Sequence, residues 1–347
     1  IIDWPALRGT LPGLAAIIFL LAFTSFPIVL LLGGGPAVQT LEAAIYAAVR
    51  LDFDLGAAVK LALVQIAICS VIILVSSGLA PLSTSLDRPT EPRWRDASGA
   101  RALQWVVLAI ALLGFATPLL AVLADGVGGL GDVLAPPAFW ASLATSLWIG
   151  IASAFLALLF SLVIASARAA SPSRVTRMVL GAPAYAYLAV PAVALSLGAF
   201  LLVRDLGIPP NTAAPLVVVI ANALLSLPFA MATLAPPFEA IARSRGRLIR
   251  SLDLGGMRQF RQIEWPLIAR DIGLVLALSF CFSLGDLGVI ALFGTQNFAT
   301  LPLLLVRALG AYRTHDAATI AALMLVLTIA AFVALPKLFE RLGRADA

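Results

Sequence analysis

Apolar residues in this chain come in long blocks, not in alternation with polar ones. Eight nearly uncharged blocks of about twenty residues or more run at 13–33, 57–80, 102–123, 139–166, 178–203, 212–235, 272–293 and 316–336. Each is long enough, as a helix, to cross a hydrocarbon core of roughly 30 Å. A transmembrane barrel would instead need shorter segments with a two-residue alternation. The pattern predicts an all-α polytopic membrane protein with about eight transmembrane helices.

Composition strengthens this reading. Hydrophobic residues make up 61% of the 347, and charged residues only 12%, about half the usual share of a soluble domain. Charge also orients the spans. With the N-terminus in the cytoplasm, eighteen of the 23 Lys and Arg residues fall on inner segments, leaving Arg50, Lys60, Arg204, Arg307 and Arg313 outside. This is the positive-inside asymmetry, and it accounts for the basic balance without a nucleic-acid partner. Cys69 and Cys281 both lie in apolar spans, which points to neither a disulfide framework nor a metal cluster.

The chain also repeats itself. Trp4-Pro5 matches Trp265-Pro266, Gly33 pairs with Gly294, and Thr40-Leu41 with Thr300-Leu301. Six spans separate the two copies, so both enter the membrane in the same direction, unlike the inverted repeats of several transporter folds. We therefore expect three parts. Residues 1–82 would be the last two spans of a first half, with its first four helices lacking. Residues 83–101, polar and Pro-containing, would be a cytoplasmic linker. Residues 102–347 would form a second, six-span half.

Between the sixth and seventh spans lies the longest inner segment, a loop at 238–271. Leu248, Ile249 and Leu252 share one helical face, Met257, Phe260 and Ile263 a second, and Gly255-Gly256 separates them. This predicts two short helices joined by a bend, ringed by Arg243, Arg245, Arg247, Arg250, Arg258 and Arg261. Such a segment suits either an anionic lipid surface or a groove on a cytoplasmic partner.

The ending "IEWP" at 263–266 resembles the cytoplasmic loop of bacterial ABC importer permeases, whose pattern is EAA, Gly, nine residues and I-x-L-P. Here Trp265 replaces the Leu, Asp253 occupies the Gly slot, and Arg247-Leu248-Ile249 the EAA slot. The stretches 23–55, 222–230 and 283–313 are similar to the thiamine-importer members of that family. The resemblance implies a permease subunit in the bacterial inner membrane that translocates thiamine and its phosphate esters. It implies as partners a dimer of ATP-binding cassette subunits, which would bind ATP and Mg, and a periplasmic binding protein touching the loops at 34–56 and 295–315. It places the coupling surface at Arg250, Leu252, Asp253, Gly255, Gly256, Phe260, Ile263, Trp265 and Pro266, with Trp4 and Pro5 in the other copy. The chain contains no GxxxxGK[ST], so a separate subunit would hydrolyse ATP. Ferric iron or a polyamine is the alternative cargo. An ion-driven secondary transporter would need coupling carboxylates inside its spans.

One acid meets that description: Asp286, deep in the seventh predicted span. An intramembrane ionisable residue is a pathway candidate by default, although beside Gly285 and Gly288 it could equally cap a broken helix. Its counterpart in the first copy falls near Ser25-Phe26, so charge is expected on one side of the pathway only. Asn222 is expected to bond another helix, and Phe282 could stack on a cationic ring. Pro191 and Pro228 should kink their spans. "GVGGLG" at 126–131 satisfies the dinucleotide fingerprint but lacks the strand and βαβ context that give it meaning, so we expect no nucleotide there.

Overall fold

A computed structural model describes residues 4–32, 39–79, 98–187 and 190–345. No strand occurs among them. Trp4 and Pro5 start α1 (Trp4–Phe23), and α2 follows as Phe26–Leu32. The predicted span 13–33 is thus two helices. Pro27 offers no N–H, and its ring would collide with the carbonyl of Phe23, so the first helix stops there. Next come the ten-residue α3 (Leu41–Arg50) and the long α4 (Leu55–Leu79). The predicted linker lies outside the described residues except for its last four, which belong to α5 (Ser98–Gly128). After it run α6 (Leu130–Leu134) and α7 (Pro137–Ala170).

The span predicted at 178–203 is also broken, into α8 (Arg174–Ala186) and α9 (Ala192–Asp205). Pro191 is the extended N-cap of α9. Proline lacks the helical donor and pushes the residue before it out of the α region, which makes it a natural break. By contrast α10 (Pro210–Ser251) is one helix of 42 residues, uninterrupted by Pro228. At 1.5 Å per residue it is about 63 Å long and reaches far beyond the hydrocarbon core. The first of the two short helices predicted in the loop is simply its end.

A brief α11 (Gly256–Gln259) and a π turn (Phe260–Glu264) lead into α12 (Trp265–Gly285). The chain ends with α13 (Ile290–Phe293), α14 (Leu301–Gly310) and α15 (Thr314–Ala345). Among the described residues six segments are long and apolar enough to span: Leu55–Val75, Gly99–Gly128, Pro137–Ala170, Pro210–Ile249, Gly256–Gly285 and Thr314–Arg344. The protein is an all-α, multi-pass membrane protein.

The centre is built from α7, α10, α12 and α15, around Met231, Leu234, Phe238, Ile268, Ile272 and Leu284. Water cannot drive helices together inside lipid, so close backbone approach and dispersion must. Glycines supply it. A Cβ on Gly273 of α12 would lie 2.6 Å from the Leu335 carbonyl oxygen of α15, and one on Gly343 of α15 would lie 2.5 Å from the Ala269 Cβ. Gly126, at the end of α5, approaches Ala322 and Ala318 of α15 equally closely, and Gly129 abuts Thr319. Two glycines of "GVGGLG", Gly126 and Gly129, are therefore packing residues, whereas Gly128 and Gly131 meet no neighbour, and the motif runs from the end of α5 into α6. Elsewhere α5 presents Leu103, Trp105, Ile110 and Phe115 outward, as a lipid-facing helix does.

A second apolar cluster joins the N-terminal elements to the remainder. Phe26, Ile45 and Val49 pack with Val193, Leu197, Val218, Ile290 and Phe293. The repeat is visible here too. Thr40 and Thr300 are both extended N-caps of ten-residue helices, and each helix is followed by a non-glycine residue at positive φ, Phe53 and Tyr312, before a long helix begins.

Candidate coupling loop and pathway site

The loop geometry follows from three residues. Where α10 ends, the Leu254 N–H donates to the Ile249 carbonyl at 3.1 Å, closing the turn over Asp253. Asp253 has φ of 49°. This left-handed conformation costs most side chains energy, suits Gly, and is tolerated by Asp. The slot that holds Gly in the importer pattern is thus a slot that needs positive φ. Gly256, at φ 58°, makes the second such turn.

Pro266 then shapes the start of α12. It has no N–H for the carbonyl of Gln262 and would clash with it, and the turn before it widens to a π turn. The Trp265 N–H closes that turn on the Phe260 carbonyl. Its indole sits between the rings of Phe260 and Phe339, at 6.3 and 6.0 Å, and Gln259 Nε2 donates to Glu264 Oε1 at 2.6 Å. Trp4 and Pro5 likewise open a helix, α1.

The two apolar stripes divide on folding. Ile249 and Ile263 are buried and Phe260 half-buried, whereas Leu248, Leu252 and Met257 are exposed, Met257 at 77%. Around them Arg243, Arg245, Arg247, Arg258 and Arg261 are exposed. Arg250 lies in the last turn of α10, and its side chain is outside the described residues. The result is an apolar ledge with a basic rim at the end of a helix held to α7 by the Arg168–Glu239 ion pair at 3.3 Å.

Of the pathway candidates, Asp286 lies just past the end of α12 and not deep within a span. Its carboxylate accepts from the Gly288 N–H at 3.1 Å and the Val289 N–H at 3.2 Å, capping the turn into α13. Asn222, 2% exposed, donates to Ser283 Oγ at 2.9 Å, and Ser283 Oγ donates to Ser153 Oγ at 3.4 Å. This polar thread ties α10, α12 and α7 together, as expected of Asn222. Phe282 stacks on Phe229 of α10 with centroids 4.5 Å apart.

Acidic side chains are not confined to one side. Glu42 of α3 is 1% exposed, beside Gln65 of α4 and within electrostatic reach of Asp286. Burial pushes the Glu42 carboxyl up to about 8. In the sequence it looks like an ordinary first-turn acid two residues after an N-cap, well placed for the helix dipole. Only its pairing with Pro302, one position past the Leu41–Leu301 match of the repeat, would have placed it at the junction. Farther along α3, Arg50 donates to the Ala291 carbonyl at 3.1 and 3.0 Å and to the Gly294 carbonyl at 2.9 Å. It clasps the C-terminal end of α13 across that junction.

No family model matches the chain. Curated relatives do. The chain is 36% identical, over 95% of its length, to a thiamine transport system permease protein of Brucella melitensis, covering 61% of that protein. It is 36% identical over 99% of its length to one of Escherichia coli, covering 65%, and 34% identical over 94% to one of Haemophilus influenzae, covering 62%. The chain is similar to these permease proteins along nearly its whole length. It spans about three fifths of the length of the curated relatives it matches. The candidate residues form two groups: the ledge at the end of α10, and the polar junction where α3 and α4 meet α9 and α13.

Proposed function

We propose that the chain is the transmembrane permease subunit of an ATP-driven, binding-protein-dependent importer in the bacterial inner membrane, carrying thiamine and its phosphate esters into the cytoplasm. The observation that carries this reading is the similarity along nearly the whole chain to proteins named as thiamine transport permeases. The ledge of Leu248, Leu252 and Met257 fits the groove of a cytoplasmic ATP-binding subunit, because exposed apolar side chains at the end of a rigid, membrane-projecting helix can transmit a push. A second such subunit would engage the other repeat copy. Asn222, Asp286 and Phe282 would then line or brace the path, and a periplasmic binding protein would deliver the solute near α3 and α14. The halves at 1–82 and 102–347, joined at 83–101, would rock against each other as ATP closes its subunits.

The test is ATP-dependent uptake of labelled thiamine into proteoliposomes holding the complete permease, its ATPase and its binding protein. Uptake that thiamine diphosphate competes, and that neither iron nor spermidine does, supports the assignment. ATP hydrolysis stimulated only by another solute discards thiamine and keeps the importer.

A further inference from the structure

Four buried polar atoms without a hydrogen-bond partner meet at one point: both carboxyl oxygens of Glu42 and both amide atoms of Gln65. Folded proteins leave few such atoms, and each calls for an explanation. Glu42 is 1% and Gln65 0% exposed. They belong to α3 and α4, which pack on α9, and α3 also on α13. The Gln65 side chain and the Phe26 backbone N–H face the Glu42 carboxyl but fall short of hydrogen-bond geometry. The ionisable groups acting on it among the described residues are Asp286 and Cys69, neither of them cationic. The basic residue of the same helix, Arg50, is committed to the carbonyls of Ala291 and Gly294. Asp286 already has its backbone donors. The unmet capacity of the junction is therefore that of a carboxyl and a carboxamide side by side, with no uncommitted cationic group acting on them among the described residues.

We infer that Glu42 and Gln65 form a recognition site for an organic cation bearing N–H donors, shut in this conformation beneath the Arg50 contact. A lone carboxylate in such surroundings is unfavourable, so the shut site holds Glu42 as the neutral acid. Opening of the α3–α13 contact lets Glu42 release its proton to water and take the cation's charge and N–H groups, while the Gln65 carbonyl accepts a further N–H. The choice of thiamine as the cation rests on the proposed function; the site itself does not.

The experiment uses the complete assembled transporter. Dicyclohexylcarbodiimide, which attacks neutral carboxyls in apolar surroundings, should modify Glu42, as read by mass spectrometry, and excess thiamine or benzamidinium should protect it. Glu42→Gln, which keeps the shape of the neutral acid, should raise the KM for thiamine uptake at least tenfold with kcat changed less than twofold, and Gln65→Leu should act in the same direction. Thiamine uptake by the wild type with an unchanged KM in Glu42→Gln and no protection by either cation overturns the site. Protection by benzamidinium without thiamine uptake keeps the site and overturns the substrate. Failure of both uptake and protection overturns both.

Discussion

Arg50→Ala removes the clasp between α3 and α13. The guanidinium makes three short contacts to two carbonyl oxygens, those of Ala291 and Gly294. Hydrogen bonds to a charged group each contribute roughly 1.5–3 kcal/mol net, but Arg50 is solvent-exposed along part of its length, which screens its charge. A total of about 2 kcal/mol is a fair sum, and it shifts a two-state equilibrium about thirtyfold. If the contact holds the outer junction shut, the variant should populate a state in which α3 has separated from α13. Spin labels at the exposed positions Asp52 and Gln296, measured by double electron–electron resonance in lipid nanodiscs, should show a longer-distance population absent from the wild type. Arg50→Lys, which can reach one carbonyl but not both, should fall between. An unchanged distance distribution in Arg50→Ala would refute the clasp, and would leave the apolar cluster around Ile45, Val49 and Ile290 as the element that closes the junction.

Glu42 should make stability depend on pH. Its pKa is raised in the folded state, so the folded protein binds the extra proton between about pH 4.5 and about 8. Stability is therefore highest at the acid end of that window and falls as pH rises through it, by up to about 5 kcal/mol; Glu42→Gln should flatten the thermal-unfolding profile there. Gly273→Leu forces a side chain into the Leu335–Pro336 backbone and should cost about 3 kcal/mol or more, read as a lower unfolding temperature in detergent. Leu252→Glu or Met257→Glu places a charge on the exposed ledge: unfolding temperature should hold steady while ATP hydrolysis coupled to uptake falls at least tenfold. If hydrolysis and uptake both persist, the ledge merely lies on lipid.

Hydropathy is a property of a run of residues, and so the spanning character of this chain, its helical class and its repeated Trp-Pro helix starts were legible before any folding was considered. The importer pattern also located a backbone requirement: the Gly slot at Asp253 carries positive φ. Where a run breaks is a finer matter. Single prolines divided 13–33 and 178–203 but left α10 whole at Pro228, because a helix packed on several neighbours can absorb a kink that an end cannot. Side-chain partnership was wholly out of reach. The expectation that Asp286 sat deep in a span, with no acid opposite, treated each acid by its own neighbourhood. Glu42 and Gln65 come together with Asp286 only when α3 and α4 fold against α9 and α13, more than two hundred residues away in the chain for the last of these. The sequence by itself determined which segments lipid would accept. Tertiary structure alone decided which polar groups would be buried there without a partner, because that depends on long-range packing that no local pattern encodes.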